Sequence, residues 1–357
     1  MLQRSRTCSP SFLGLHLIHS AAKNRTIIPI IRLANNLKLP AGPWKDPGKK
    51  NILSFQNDDE WSESHGRDGF ASDPCIEEVV PFFMDRNSLE PVGFLRSRVF
   101  GALLASLGTF QSPWEADSTS VRFAPWVNAH RDPVSVRSFA IDTLVKQWRS
   151  ESLFSDILGK ESSEHFPVYR SKLEFGQNLQ CAIERPALPL FGFPNYGSLL
   201  IVYFICPNTN KTMIWVPRRS MTKRTFPGML DVTVGGGIAN DCTPLSTIIQ
   251  EAHEEARLDE TYVRERIFTT GFLEFRHRNP DGWILPGVYF TFELEAEPSV
   301  RPVPHDGEVE CFELMDAQTV FDNILEGKFK GSSALAMIRF LSRRNWQDEG
   351  MAPLPYL

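Results

Sequence analysis

The chain has 357 residues, of which 42% are hydrophobic and 23% charged, and its formal net charge is −5. This composition is typical of a globular protein of about two domains. The acidic balance argues against a protein that coats nucleic acid polymers or a membrane surface. Six cysteines are scattered without a Cys-x-x-Cys spacing, which argues against a zinc ribbon or a disulfide scaffold.

Residues 1–45 hold seven lysines and arginines but no aspartate or glutamate. Together with several serines, this pattern is typical of a mitochondrial transit peptide, and a disordered leader is the alternative. The following stretch to Pro74 is rich in Gly, Asp, Asn and Ser, as linkers are. We therefore predict a transit peptide and flexible linker over 1–74, and a mitochondrial or cytoplasmic location.

A smaller α+β domain is predicted over residues 75–184. The runs EEVVPFFMD and PVGFLRS are strand-like and are joined by a polar turn at 85–88. A short amphipathic helix follows, and a second helix is predicted over Val134–Ser152 from its apolar spacing. No catalytic group of residues stands out here, and His130 and His165 are interpreted as loop residues.

A second domain is predicted over residues 185–347. The strand-like runs SLLIVYFICP and TMIWVPRR are separated by a polar turn, and IFTTGFLEFRH, GVYFTFELEAE and residues 308–315 alternate in the same way. Closing helices are predicted over Asp316–Leu325 and Ser332–Arg344. We find no apolar run long enough for a transmembrane helix.

Between these strands, a glycine-rich loop precedes a predicted helix. Thr243 has the hydroxyl of an N-cap, and Pro244 suits the first helical position. At about 100° per residue, the apolar side chains form one stripe and three carboxylates gather on the opposite side. The stripe comprises Leu245, Ile248, Ile249, Ala252 and Ala256, and the carboxylates are Glu251, Glu254 and Glu255.

Carboxylates three and four residues apart on a helix repel one another by roughly a few tenths of a kcal/mol per pair. A divalent cation removes that repulsion, and oxygen ligands suit Mg²⁺ or Mn²⁺. The alternative is that the glutamates form an ordinary solvated face. Upstream, Arg218, Arg219, Lys223 and Arg224 could bind phosphate oxygens, although cations at a strand end are usually solvated.

The glycine loop and the helix together resemble the Nudix box, G-x5-E-x7-R-E-U-x-E-E-x-G-U, in which U is aliphatic. Gly236 takes the leading glycine, and the three glutamates and Leu258 match their positions. Three positions depart from the pattern. Cys242 replaces the first glutamate, Gln250 the arginine and Arg257 the late glycine.

Further stretches resemble one Nudix branch, in which an N-terminal domain related to thiamin pyrophosphokinase precedes the hydrolase. They are WVPRRSMTKRTFPGMLD, AIERPALPLFG, DGEVECFELM and KFKGSSALAMIRFL. The resemblance implies a Nudix α/β/α sandwich preceded by the smaller domain. It also implies Mg²⁺-dependent or Mn²⁺-dependent hydrolysis of a small organic diphosphate, namely damaged thiamin diphosphate or, alternatively, 8-oxo-(d)GDP.

The resemblance also implies roles for individual residues. The three glutamates would bind metal and act in catalysis. Glu308 and Glu310 lie two residues apart and so are predicted to share one face of a strand. Either could add a carboxylate, and a pair that faces solvent is the alternative. The phosphates would be held by Arg218, Arg219 and Lys223 and by the backbone of Gly235, Gly236 and Gly237. Apart from the resemblance, the aromatic side chains of Phe226, Trp283 or Tyr289 could stack on the organic group, although such residues more often pack in a core.

Two other interpretations stay open. The departures at Cys242 and Gln250 are compatible with a degenerate Nudix domain that binds a diphosphate without turnover. The R-S-x-x-K-x-x-x-P-G stretch also resembles isoprenoid diphosphate isomerases, for which Cys242 would have to act as the acid.

Overall fold

The computed structural model describes residues 27, 30, 31, 34, 36, 77–108, 111–159, 161–171, 175–279 and 281–346. The predicted linker and most of the predicted transit peptide lie outside these residues. Ile27, Ile30, Ile31 and Ala34, however, are buried in the same core as the helix Gly331–Arg343. The transit peptide stays a prediction.

Residues 77–194, here called the N-terminal part, form a four-stranded sheet and a hairpin. The sheet has the order β2-β1-β4-β3, with β1 antiparallel to β2 and parallel to β4. Its elements are β1 (Val79–Phe83), β2 (Gly93–Arg96), α1 (Ser97–Ala105), β3 (Trp114–Ala116), β4 (Val121–Phe123), α2 (Pro125–Asn128), α3 (Pro133–Ser150), α4 (Ser155–Leu158), β5 (His165–Tyr169), β6 (Leu179–Glu184), a 3-10 helix (Arg185–Ala187) and α5 (Leu188–Phe191).

The helix predicted over Val134–Ser152 is α3, which begins just after Asp132. The Asp132 side chain accepts a hydrogen bond of 3.1 Å from the Ser135 N–H, as an N-cap does. The inner side of α3 packs on an aromatic core that includes Phe82, Trp148 and Phe191. The short hairpin of β3 and β4 was missed by sequence patterns, because strands of three residues carry too little alternation to recognise.

Residues 195–346, the C-terminal part, form one mixed sheet of six strands with helices on both faces. The strand order is β10-β11-β7-β8-β12, and β9 also pairs with β7. The elements are β7 (Asn195–Ile205), β8 (Thr212–Arg219), β9 (Val234–Gly237), α6 (Pro244–Ala256), α7 (Glu260–Arg266), β10 (Ile267–Arg278), β11 (Ile284–Glu295), β12 (Val309–Asp316), α8 (Ala317–Leu325) and α9 (Gly331–Arg343).

The central strand β7 shows how the layers are built. Leu200 and Val202 contact the core under α6, whereas Leu199, Ile201 and Tyr203 contact the core under α8 and α9. Alternate residues of a strand point to opposite faces, so a strand buried on both sides reads as a continuous apolar run. The predicted α+β class with an α/β/α sandwich is confirmed. Among the residues that the structure describes, no helix has the length and apolar character needed to cross a membrane.

A buried carboxylate fastens the sheet to α9. Asp231 accepts a hydrogen bond of 2.9 Å from Arg219, lies 3.5 Å from the Lys330 ammonium and also contacts the Ser333 hydroxyl. Burial alone would raise the pKa of Asp231, but the charges of Lys330 and Arg219 bring it below its usual value. The carboxylate is therefore ionised and fully paired at neutral pH.

We expect Asp231→Asn to lower the free energy of unfolding by about 3–5 kcal/mol, because it leaves two cations without their buried anion. Urea denaturation at pH 7 measures this loss. The control is Glu313→Gln, which removes a more exposed ion pair from the neighbouring Arg218 and should cost less than about 1 kcal/mol. Equal losses in the two variants would show that the Asp231 cluster has no special role.

Candidate functional site

Both ends of α6, the helix that carries the three glutamates, have recognisable cap residues. The Thr243 hydroxyl accepts a hydrogen bond of 3.0 Å from the Ser246 N–H, and the Ser246 hydroxyl accepts one of 2.9 Å from the Thr243 N–H. This reciprocal pair is a capping box. The helix ends at Arg257, whose φ of 53° is left-handed. Glycine adopts that conformation most easily, which explains why the Nudix pattern has glycine there.

The strand β9 approaches α6 closely because it consists of Val234 and three glycines. A Cβ atom at Gly236 would overlap the carboxyl group of Glu251. One residue earlier, the Gly235 N–H donates a hydrogen bond of 3.2 Å to Glu255 Oε2. The glycines therefore make room for the glutamates and hold one of them, and the predicted binding of phosphate by their backbone stays a prediction.

The three glutamates differ in their surroundings. Glu255 is buried, Glu251 is half-buried and Glu254 is exposed. Gln250, at the arginine position of the Nudix pattern, donates a hydrogen bond of 2.9 Å to Glu254 Oε1. The amide therefore supports Glu254 without supplying a positive charge. The apolar stripe also has one exception, because Leu245 is 41% exposed.

A carboxylate cluster forms where the end of α6 meets the segment before β12. Oxygen atoms of Glu255, Asp306 and Glu308 lie within 4.8 Å of one another. The Glu308 N–H donates a hydrogen bond of 2.8 Å to Asp306 Oδ1, and Gly307 between them has a φ of 84°. Sequence reasoning missed Asp306. The Asp-Gly-Glu turn just before a strand was the available signal, but nothing in it indicates that the turn meets α6.

Glu310, the other candidate carboxylate, is exposed and lies outside this cluster. The prediction that Glu308 and Glu310 share one face of a strand assumed an unbroken alternation. The pairing of β12 with β8 shifts in register between Val309 and Cys311, so a bulge at Glu310 breaks the alternation. Within the described residues, Glu308 therefore joins the cluster and Glu310 does not.

The acidic side chains raise one another's pKa values. Burial, followed by the charges of Glu254 and Glu308, raises the pKa of Glu251 to about 7. Burial, and then the charge of Glu251, raises the pKa of Glu255 well above its usual value. Both effects disfavour negative charge on these two side chains. A bound divalent cation would reverse them, because it favours the ionised form of each ligand.

The predicted phosphate-binding cations already have partners. Arg218 contacts one oxygen of Glu313 through two nitrogens, at 3.1 and 2.8 Å. Arg219 pairs with Asp231 and donates to the carbonyl oxygens of Phe226 and Thr225. Lys223 forms an ion pair with Glu308, so among these three it is the residue in contact with the carboxylate cluster.

The aromatic residues suggested as stacking partners have different environments. Trp283 is 2% exposed, packs in the core of the N-terminal part and donates a hydrogen bond of 3.0 Å to Asp156 Oδ2. It is therefore a core residue. Phe226 is partly exposed in the loop after β8, and Tyr289 packs against Phe275. The surroundings of Phe226 and Tyr289 do not indicate that either residue binds a ligand.

Comparison with known proteins identifies the C-terminal part. The family model described as NUDIX domain matches residues 199–335. An uncharacterized protein of Saccharomyces cerevisiae is 30% identical over 220 residues, which are 59% of this chain and 63% of that protein. Nudix hydrolase 20, chloroplastic, of Arabidopsis thaliana is 29% identical over 181 residues, or 50% of this chain and 47% of that protein.

Among solved structures, a NUDIX hydrolase from Alicyclobacillus acidocaldarius is 12% identical, and the match covers 42% of this chain and 91% of that chain. Its TM-score of 0.34 is too low to carry an argument. The chain spans between 47% and 63% of the length of the first three curated relatives. The family match nevertheless includes α6, β12 and the whole carboxylate cluster. The chain therefore contains a Nudix domain at residues 199–335.

Proposed function

We propose that this protein is a metal-dependent hydrolase that cleaves a small organic diphosphate to the monophosphate and phosphate. The observation that carries the proposal is the meeting of Glu255 with Asp306 and Glu308 at the end of the Nudix helix. Carboxylate oxygens from two separate segments converge there, and a bound cation would offset the repulsion between them. The names of two relatives, Nudix hydrolase 20 and Nudix hydrolase 24, support hydrolysis.

The donor set fits a hard divalent cation. All the candidate ligands are carboxylate oxygens, which suit Mg²⁺ and Mn²⁺ rather than a metal that prefers sulfur or imidazole. Glu251, Glu254 and Glu255 would hold the metal from the helix, while Asp306 and Glu308 would hold it from the turn before β12. When bound, such a metal neutralises charge on the phosphate oxygens and makes a water molecule more acidic.

The chain's own residues would prepare the site for that reaction. Gly236 lets the Glu251 side chain lie against β9, and the Gly235 N–H fixes Glu255. With a pKa of about 7, Glu251 can accept a proton near neutral pH when it is not holding metal. Lys223 lies beside Glu308 and can move to a phosphate oxygen as substrate enters.

The substrate is proposed from sequence resemblance. The stretches that resemble the thiamin pyrophosphokinase-related branch favour damaged, oxidised thiamin diphosphate, and 8-oxo-(d)GDP is the second candidate. The proposed partners are thus small molecules, with no nucleic acid polymer and no membrane. The mitochondrial or cytoplasmic location also stays a prediction.

Phosphate release tests the activity directly. We expect the wild-type protein with Mg²⁺ to release phosphate from oxidised thiamin diphosphate, thiamin diphosphate or 8-oxo-dGDP. Glu254→Gln should reduce kcat/KM at least about 100-fold, because several kcal/mol of charge stabilisation is lost. The control is Glu265→Gln, which changes an exposed glutamate of α7 and should leave the rate unchanged.

Binding of these compounds without phosphate release, unaltered by Glu254→Gln, would contradict the enzyme proposal and leave a degenerate binding domain. Conversion of an isoprenoid diphosphate without phosphate release would instead favour the isomerase alternative, and it should then depend on Cys242.

Metal binding tests the composition of the cluster. We expect Glu308→Gln to weaken Mn²⁺ binding by at least about 10-fold, the lower limit even for residues that only support a ligand. The matched control is Glu310→Gln, which removes an exposed carboxylate two residues away and should bind Mn²⁺ as the wild type does. Isothermal titration calorimetry at pH 7.5 measures both. A larger effect at Glu310 would place the metal elsewhere.

Metal affinity should also depend on pH. Below pH 7, Glu251 holds a proton that the metal must displace, since its pKa is raised to about 7. Mn²⁺ affinity should therefore rise between pH 6 and pH 8, by up to about tenfold per pH unit for one displaced proton. Glu251→Gln should bind Mn²⁺ more weakly than the wild type, and its affinity should change less with pH. A wild-type affinity that does not change over this range would refute the assignment of Glu251.

A further inference from the structure

The loop over residues 220–228, which follows β8, brings Lys223 to the carboxylate cluster. The Ser220 N–H donates a hydrogen bond of 2.9 Å to the Glu308 carbonyl oxygen, and the Lys223 N–H donates one of 3.2 Å to the Ser220 carbonyl oxygen. The Lys223 ammonium group forms an ion pair with the Glu308 carboxylate. Glu308 therefore holds the start of this loop through both its backbone and its side chain.

Arg224, the next residue, contacts the N-terminal part of the chain. Its Nη2 atom donates hydrogen bonds of 2.8 Å to the Asp156 carbonyl oxygen and 3.3 Å to the Ile157 carbonyl oxygen. A Cβ atom at Gly159 would lie 3.9 Å from Arg224 Nη1. The two carbonyl groups belong to the last turn of α4, where the carbonyl groups of a helix have no partner within it. Arg224 thus caps the end of α4.

The helix α4 is a firm anchor for this contact. Leu158 is 1% exposed and packs in the aromatic core of the N-terminal part. The Asp156 carboxylate accepts hydrogen bonds of 3.0 Å from the buried Trp283 indole and 3.2 Å from Arg98. The carbonyl groups that Arg224 contacts are therefore fixed by the packing of both parts of the chain.

The loop itself depends on contacts from outside. Phe226 has a left-handed φ of 53°, which is unfavourable for a bulky residue. Such a conformation persists only where surrounding contacts determine it. Arg219 of β8 supplies two of them, with hydrogen bonds of 3.2 Å to the Phe226 carbonyl oxygen and 3.1 Å to the Thr225 carbonyl oxygen. Arg224 supplies the contact with the N-terminal part.

The two neighbouring cations therefore have partners of different kinds. Lys223 pairs with a carboxylate of the proposed metal site, and a phosphate oxygen can take the place of that carboxylate. Arg224 instead donates to two backbone carbonyl groups, which a side-chain movement elsewhere in the site does not displace. The first arrangement suits a ligand of the substrate, and the second suits an anchor.

We propose that Arg224 is a positioning residue, which fixes the loop on α4 so that Lys223 is held at the carboxylate cluster to bind a phosphate group of the substrate. This inference rests on the proposed function, because it assumes that the site binds a diphosphate. It gives the N-terminal part of the chain a role in the site of the Nudix domain.

The test compares Arg224→Gln with Arg98→Gln. Arg98 is a matched control, because it contacts the Asp156 carboxylate of the same helix and the rings of Phe154 and Trp283. Calorimetry with Mg²⁺ and methylenediphosphonate, a pyrophosphate analogue with a P–C–P bridge that resists hydrolysis, measures Kd. We expect Arg224→Gln to raise Kd about 3-fold to 10-fold, the usual effect of losing a hydrogen bond. Arg98→Gln should leave Kd unchanged.

Kinetics and a double variant show whether Arg224 acts through Lys223. In phosphate release, Arg224→Gln should raise KM by the same factor and leave kcat nearly unchanged, as when uniform binding is lost. Lys223→Gln should raise Kd about 10-fold or more, because a charged contact to phosphate is removed. The variant with both substitutions should then bind no more weakly than Lys223→Gln alone. Arg224→Lys keeps the charge and can keep one carbonyl contact, so its Kd should lie between those of the wild type and Arg224→Gln.

Several results would overturn the inference. They are an unchanged Kd in Arg224→Gln or in Lys223→Gln, equal weakening in Arg98→Gln, effects of the two substitutions that multiply in the double variant, and an analogue that does not bind the wild type.

The outcomes also distinguish the inference from the proposed function. Coupling of Arg224 to Lys223 in analogue binding, without turnover of any tested diphosphate, would sustain the inference and refute the hydrolase. Turnover with a KM and kcat that Arg224→Gln leaves unchanged would do the reverse.

Discussion

The close approach of helix α6 to strand β9 is the constraint on which the site depends. A side chain at Gly236 would occupy the space of the Glu251 carboxyl group, and the Gly235 N–H donates a hydrogen bond to Glu255. The contact holds two carboxylates in partly apolar surroundings, where their ionised forms are disfavoured. The helix and the glycine strand thus hold these carboxylates where a bound cation would stabilise their ionised forms.

The basic side chains near the site pair with different carboxylates. Arg218 and Arg219 lie close to the site in sequence, yet their guanidinium groups hold β8 to Glu313 and Asp231. These two arginines neutralise carboxylates outside the cluster of Glu255, Asp306 and Glu308. Lys223 contacts the cluster through its ion pair with Glu308. Positive charge therefore reaches the cluster from the segment after β8.

The sequence predicted the parts of the site that depend on local rules. The start of α6, its apolar stripe and the need for Gly236 follow from capping, helical periodicity and the family pattern. Asp306 could not be found in this way, because only the tertiary fold brings its turn to the end of α6. The bulge at Glu310 could not be predicted either, since alternation assumes an unbroken ladder. The sequence left open whether Trp283 stacks on a ligand or packs in the core, because its burial depends on the other half of the chain.

Trp283 also indicates how the two halves depend on each other. It belongs to the turn between β10 and β11, yet it packs in the core of the N-terminal part, with its indole N–H on Asp156 and the Arg98 guanidinium 4.1 Å from its ring centroid. Separation of the halves would expose this large apolar surface, which is unfavourable in water. The same packing that buries Trp283 also holds the β5–β6 hairpin against β9. Because that hairpin contacts Gly237 and Asn240, the position of the glycine strand and the folding of the N-terminal part are linked through one shared core.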